Sequence, residues 1–381
     1  MLCFALDYES EQRRMDAAIK SRLSQYACEM VSGVPEEWDH FVENHAAGTY
    51  FQHGSWLRAF VSRDTLLETI LIRRGSEVVG GGGILLQHVP YLGLKSELPG
   101  GLLWREDVFS EYEAISTLLS CLTEACKKRK CVLADLHLRI PAYDASGQSD
   151  AENSVLGNAL SSSGYIRMPK SSGTFIQHID LEDDALLNSF KKNVRRDVRL
   201  AQRESVRVLV AADADMLDEF YINYQMLFQR KGLQGVPRSI FVEGAQKAMG
   251  KGHVRLFYSS CRNVVLNYAL VSTIGIPRYL YGASTEAALD SRYPPGGQIL
   301  QYEMMRWLRD QGKRQYDFGG SPGPIPDPAH PNYGVWRFKA SFQGCYVEHY
   351  GHWSQVFKPL QYALWKRAIV PCSTLVNKIR N

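Results

Sequence analysis

Lys339 sits in the stretch YDFGGSPGPIPDPAHPNYGVWRFKASFQG, Tyr316–Gly344, one residue after Phe338 and three before Phe342. A lysine among aromatics is either a surface residue that snorkels to water or a placed charge. A placed ammonium beside a stiff loop can stabilise oxygen that becomes negative during a reaction. Asp317, at the end of the apolar start of this stretch, can bond local backbone or face a cleft. Prolines 322, 324, 326, 328 and 331 fix φ and stiffen the loop between the two. The segment YGVWRFKASF admits two readings. As a strand it puts Val335, Arg337, Lys339 and Ser341 on one face; as a helix it lines up Tyr333, Arg337 and Ala340, with Lys339 near Trp336 and Gln343.

Two further segments can bind anions. In KKNVRRDVRLAQR, residues 191–203, six basic residues accompany one acid. On a helix, Phe190, Val194, Val198 and Ala201 form the apolar face, and Lys192, Arg196, Arg199 and Arg203 form a basic stripe with Arg195 beside it. Such a stripe suits a phosphate-rich partner, and it is equally the pattern of a solvated helix face. In SRYPPGGQILQYEMMRWL, Gly296 and Gly297 open an amphipathic helix, where backbone N–H groups can approach an anion.

Other candidates fail on chemistry. VVGGGGILL lacks the Lys-Ser or Lys-Thr that a phosphate loop needs, and reads as a strand with a bulge or a tight crossing. No H-E-x-x-H occurs, and His137, His178, His253, His349 and His352 fall in or near strands as structural residues. No metal site is expected. Cysteines stand at 3, 28, 121, 126, 131, 261, 345 and 372 without a C-x-x-C pair, the pattern of reduced thiols in a cytoplasmic protein.

These residues need a scaffold. The chain has 381 residues, enough for two domains, and a net charge of +4 that does not by itself imply nucleic acid. The N-terminus is not patterned as a signal peptide, and no apolar run is long enough to cross a membrane. The tail PLQYALWKRAIVPCSTLVNKIRN mixes apolar and basic residues; it suits a helix packed on its own protein, with peripheral membrane contact as the alternative.

The first half reads as helices within 35–62, strands LETILIRR, EVVGGGGILLQHV and GGLLW, helix EYEAISTLLSCLTEACKKRK and strand CVLADLHLRI. A polar loop at 142–154, a short helix ending at Gly164 and strand GTFIQHIDL follow. The second half repeats the order. One helix spans DDALLNSFKKNVRRDVRLAQRES, followed by strand VRVLVA, helix DADMLDEFYINYQMLFQRKG, strands HVRLFYSS, NVVLNYALVSTI and RYLYGAST, helix QILQYEMMRWLRDQG and strand RQYDFGG. This is a pseudo-repeat of an α/β (α+β) unit.

The motifs resemble the Fem aminoacyltransferases, members of the GNAT superfamily. The resemblance rests on Tyr316-Asp317-Phe318-Gly319-Gly320, then Asp327-Pro328-Ala329-His330-Pro331, then Tyr333-Gly334-Val335-Trp336-Arg337-Phe338-Lys339-Ala340-Ser341-Phe342-Gln343-Gly344. TYFQHGSWLRAF, SFKKNVRRDVRLAQRESVRV, YQMLFQRKGLQGVPRSIF and YLYGAST extend it from about residue 45 to about 352. Gln343 departs from it, standing where the family often has glycine.

The resemblance implies two tandem GNAT-like subdomains with a cleft between them: 1–172 completed by 345–381, and 173–344. The chain lacks the coiled-coil arm of some members and is similar to the armless FemX type. The implied activity is transfer of an amino acid from aminoacyl-tRNA to the amine of a peptidoglycan-precursor stem peptide, in cell-wall synthesis and cell-shape maintenance, without a covalent enzyme intermediate or a cofactor. The acceptor would be nucleotide-sugar-linked or lipid-linked. Lys339, with Phe338 and Asp317, is then the catalytic centre. Arg230, Arg238, Tyr281, Tyr316, Trp336 and Arg337 are implied to hold substrate. Lys192, Arg195, Arg196, Arg199, Arg203, Gly296 and Gly297 are implied to meet the tRNA. The alternatives are an N-acyltransferase using acetyl-CoA or another acyl-CoA, whose pyrophosphate a GNAT holds with a loop placed like PPGG, and a non-catalytic binding module on the same scaffold.

Overall fold

The structure, a computed structural model, describes residues 25–109, 111–141, 154–168, 173–211, 215–230, 232, 235–321 and 323–369. The expectations for the N-terminal segment, the 142–153 loop, Cys3, Cys372, Pro322 and the tail beyond 369 lie outside the described residues.

The strands are β1 (Tyr26–Ser32), β2 (Thr65–Arg74), β3 (Glu77–Val89), β4 (Gly93–Leu98), β5 (Leu103–Trp104), β6 (Leu133–Pro141), β7 (Ile166–Arg167), β8 (Gly173–His178), β9 (Arg207–Val210), β10 (Val254–Cys261), β11 (Val264–Ser272), β12 (Arg278–Ser284), β13 (Gln315–Ser321) and β14 (Cys345–Val356). They join one sheet in the order β1-β2-β3-β4-β6-β14-β8-β13-β12-β11-β10-β9, with β5 on β3 and β7 on β14.

Each half of that order repeats a plan. An antiparallel run ends in one parallel pair, β4 with β6 and β12 with β13. Parallel neighbours need a crossover, and helices Tyr112–Lys128 and Gly296–Asp310 supply it. The pseudo-repeat read from element order is therefore present. β14 joins the halves: its first residues, Cys345–Glu348, pair with β8 and its later ones, His349–Val356, with β6.

Several local readings need correction. Residues 183–203 form two helices, Asp183–Asn188 and Lys192–Arg203, where one was expected. Phe190 is drawn into the core, Lys191 is extended, and its N–H bonds the Ser341 carbonyl at 3.0 Å. Arg195 donates to the Asn188 and Phe190 carbonyls, satisfying backbone left open at the break. Strands β1 and β4 were not foreseen. The glycine run in β3 is a strand with an irregular register opposite Ile72/Arg73. A Cβ at Gly81 would stand 2.2 Å from the Ile70 oxygen and one at Gly83 2.3 Å from Leu57, so the glycines serve close approach.

The halves share a core. Trp38, Val42, Tyr50, Leu71 and Leu103 from the first pack with Leu217, Phe220, Tyr224, Phe241 and Tyr268 from the second. Where they touch, Gly275 has φ +55, and a Cβ there would lie 1.9 Å from the Gly48 oxygen. Glycine is needed for both reasons.

Candidate active site

β12 and β13 pair at one point, Arg278 opposite Asp317. Beyond that point the two strands do not pair with each other, and Gly319, at φ +75, accompanies a break in the register of β13 on β8 between Asp317 and Gly320. The result is a wedge between parallel strands, widening into a cleft of about 1070 Å³. β12 lines one wall from Arg278 to Ser284, Gly319–Ser321 the other, and Phe51 and Arg139 from the first half close one side.

The segment after the proline loop is a helix, Tyr333–Ala340, which settles the two readings left open by the sequence. It is pinned at both ends. Trp336 stacks on Tyr333 at 5.3 Å and donates from Nε1 to the Pro324 oxygen at 2.8 Å. Phe342, fully buried, meets Phe318, Phe190 and Phe338 at 4.9, 5.1 and 5.3 Å. Between these pins Lys339 is 7% exposed, and its Nζ donates to the Gly320 oxygen at 2.8 Å. A Cβ on Gly319 would lie 3.5 Å from the same Nζ. Lys339 is therefore a placed charge and not a snorkelling one. Burial lowers its pKa to about 7; Asp317 opposes that shift and Arg278 adds to it.

Asp317 is buried and committed. It accepts from Arg278 NH1 at 2.7 Å, from Gly319 N–H at 2.7 Å and from the Thr174 hydroxyl. It does not line the cleft, so it positions Arg278 and the Gly319 bend and sets the field at Lys339. Phe338, Tyr281, Gly296 and Gly297 do line the cleft. Burial pushes the Tyr281 phenol up to about 12, so it enters as a neutral hydroxyl. Gly296 starts the Gly296–Asp310 helix, where a Cβ would stand 2.6 Å from Asn267 Oδ1 and 2.7 Å from Ser259 Oγ.

The remaining expected substrate residues are not gathered here. Tyr316 is fully buried below the site, its hydroxyl donating to Gln301 Oε1 at 2.7 Å. Trp336 and Arg337 lie outside the cleft lining, with Arg337 exposed. Arg230 and Arg238 are exposed outside it too, Arg238 paired with Asp218. Spacing alone could not show that the alternating aromatics and arginines of these segments turn toward core or solvent.

Of the basic stripe, Lys192, Arg196, Arg199 and Arg203 are exposed beyond the cleft, opposite the buried Val194, Val198 and Ala201. Arg196 pairs with Asp197 at 2.9 Å, while Arg195 is turned inward on the carbonyls described above. This helix starts against the end of the Lys339 helix through the Lys191–Ser341 bond, so stripe and site are neighbours.

Two residues near the site, Arg278 and Arg139, escaped the sequence reading, and a third, His349, entered it only as a structural histidine. Arg278 pairs with Asp317; Arg139, on β6, lies with its guanidinium 4.4 Å above the Phe51 ring, and Arg278 lies 5.3 Å from the same ring. Burial, then Arg278, lowers the Arg139 pKa to about 10. His349 is buried, and burial followed by Arg278 lowers it to about 3. LHLRIP and IPRYLY carry no motif; the only trace is a basic residue inside an otherwise apolar strand.

One group away from the cleft has metal-like composition: Glu43, His53 and His253. His53 and His253 point Nε2 at Glu43 Oε1, 3.0 and 3.1 Å away. The Ser55 N–H faces His53 Nδ1 at 3.0 Å, which places the proton of the neutral ring on Nε2. A metal at Nε2 would need that proton on Nδ1, against a donor. The group is a hydrogen-bonded staple between the halves. Among the described residues the six free cysteines include the contacting pairs Cys28/Cys121 and Cys126/Cys131.

Comparison with known proteins follows the same lines. Residues 34–235 match the model of the FemAB family, and residues 188–339 match that of an acetyltransferase (GNAT) domain. Lipid II:glycine glycyltransferase of Staphylococcus aureus (strain MSSA476) is 24% identical over 406 aligned positions, covering 86% of this chain and 93% of the relative. The crystal structure of FemX superposes with TM-score 0.75 at 21% identity, covering 88% of this chain and 99% of that one. A tandem GNAT protein from the clavulanic acid biosynthesis pathway superposes with TM-score 0.54 at 14% identity, covering 87% and 98%.

Proposed function

Since the chain belongs to the FemAB family and has its tandem GNAT fold, we propose that it is an aminoacyltransferase. It moves an amino acid from aminoacyl-tRNA to the amine of a lipid-linked or nucleotide-sugar-linked peptidoglycan peptide, in the cytoplasm. The observation that carries this reading is Lys339, a buried ammonium fixed at the mouth of the wedge between β12 and β13. The relatives named for glycyl transfer to lipid II support the acceptor class. The exposed basic stripe beside the site supports an RNA donor.

An aminoacyl ester is already activated, so orientation and charge stabilisation suffice. The acceptor amine attacks the ester carbonyl and forms a C–N bond. Electrons move to the carbonyl oxygen and return as the C–O bond to ribose breaks. The nitrogen loses a proton and the ribose oxygen gains one. Protonated Lys339, with one N–H on Gly320 and two free, donates to the developing oxyanion and to the departing oxygen. Asp317 takes no part in that proton transfer; its oxygens are occupied by three donors. Tyr281 and Phe338 orient what enters the cleft.

The second reading, acyl transfer from acyl-CoA, is favoured by the GNAT-domain match over 188–339 and by the helix start at Gly296–Gly297 in the cleft wall. The test presents the protein with charged tRNA or with acetyl-CoA, each with a lipid-linked and a nucleotide-sugar peptide acceptor. Product only from charged tRNA is expected. Product only from acetyl-CoA would replace the first reading by the second.

A further inference from the structure

Charge in the cleft does not balance. Within it and just behind it stand Arg139, Arg278 and Lys339, with Asp317 as the carboxylate in contact. Asp317 is spent on Arg278, Thr174 and the Gly319 N–H. Arg139 has no carboxylate partner among the described residues; it makes a 3.4 Å bond to the Pro99 carbonyl and lies on the face of Phe51. A half-buried guanidinium held on a ring without a counter-ion leaves most of its donors for something else.

The two arginines are not scattered. Both lie against Phe51, at 4.4 and 5.3 Å, which brings two cations onto one ring. Arg278 is linked through Asp317 to Gly319, the residue beside Lys339 Nζ. One arginine comes from β6 of the first half and the other from β12 of the second, so the pair exists only when the halves are docked.

We propose that Arg139 and Arg278, mounted on Phe51, form an oxyanion subsite that anchors a carboxylate or phosphate of the substrate next to the reacting centre. Planar guanidinium forks match either group, and the low-dielectric wall strengthens the contact. The perturbed titration of Arg139 agrees with this: burial and Arg278 disfavour its charge, and a bound anion would restore it. The subsite rests on the proposed function only for what carries the anion. That is the free carboxylate of an acceptor peptide or a phosphate of the donor or acceptor.

Chemical protection tests it without any acyl transfer. The whole protein is treated with phenylglyoxal, which attacks arginine guanidinium groups, and adducts are mapped by mass spectrometry with exposed Arg63 as internal reference. The probes are inorganic pyrophosphate, a Lys-D-Ala-D-Ala peptide with a free carboxylate, and the same peptide as its C-terminal amide. Labelling of Arg139 should fall roughly tenfold at a probe concentration about ten times its Kd, with Arg63 unchanged. Protection by pyrophosphate assigns a phosphate; protection by the acid and not the amide assigns a carboxylate. If neither anion protects Arg139, or if the amide protects as well as the acid while pyrophosphate does not protect, the subsite is refuted. Arg139→Gln should abolish pyrophosphate- or peptide-induced thermal stabilisation while keeping the unliganded fold, and retained stabilisation would also overturn it. A donor-swap result against tRNA leaves these outcomes untouched.

Discussion

The protonation state of Lys339 is the sharpest consequence of the wedge. Its pKa falls from the ordinary 10.5 to about 7 because burial removes solvation from the ammonium. A drop of about 3.5 units corresponds to about 4–5 kcal/mol disfavouring the charged form in the fold. If turnover needs the ammonium, rate should fall above pH 7 by about tenfold per pH unit, where an ordinary lysine would hold a plateau past pH 9. The assay is single-turnover transfer from charged tRNA between pH 6 and 9, with enzyme-free hydrolysis subtracted, using an acceptor amine of low pKa so that its own titration stays below the window. Lys339→Arg should remove the falling limb, because guanidinium does not titrate there. Lys339→Met should lower turnover by about 10²–10³-fold, the scale seen when an oxyanion donor is removed. It should also leave the fold no less stable at pH 7, since the same burial that tunes the lysine strains the fold. For linkage the sign is that of a depressed base: stability from this group rises with pH between about 7 and 10.5 in the wild type and is flat there in Lys339→Met. A rate that is level from pH 7 to 9, or a Lys339→Met variant with full turnover, would refute the assignment.

Three further predictions use the same structure. His349 titrates at about 3 in the fold and near 6.5 unfolded, so its contribution is complete above pH 6.5 and lost as pH falls; lowering pH from 7 to 5 should cost about 2 kcal/mol by denaturant unfolding, and His349→Leu should lose that dependence. Gln343 holds φ +59, a left-handed conformation that costs an ordinary residue about 1 kcal/mol. Gln343→Gly should therefore raise Tm measurably, and an unchanged or lowered Tm counts against strain at that turn. Reversing Arg196 and Arg199 to Glu should weaken binding of charged tRNA and flatten its salt dependence by about one to two units of slope; an unaltered slope would detach the stripe from the RNA.

The positions legible in the sequence share a property: their chemistry depends on near neighbours. The proline loop, the aromatics around Lys339 and the paired glycines at 296–297 are local, and they led to the cleft. The glycine departure at Gln343 is local as well, and its φ explains why glycine suits that turn. What remained hidden is made by distant segments. Arg139 and Arg278 lie 139 residues apart in sequence, and only the docking of two halves sets them on one phenylalanine ring. Trp336 and Arg337 sit within one turn of Lys339, yet helix geometry turns them elsewhere; a strand reading would have kept Arg337 on the face of Lys339. Even β14 had no motif of its own, although it is the strand that crosses from one half to the other. The site is thus doubly specified. A local motif aims one lysine, and the tertiary joint buries it and surrounds it with charge that a single carboxylate does not neutralise. Burial depresses the lysine, Asp317 opposes that shift and Arg278 adds to it, and among the described residues Arg139 is left without a carboxylate, the place the proposed oxyanion would fill.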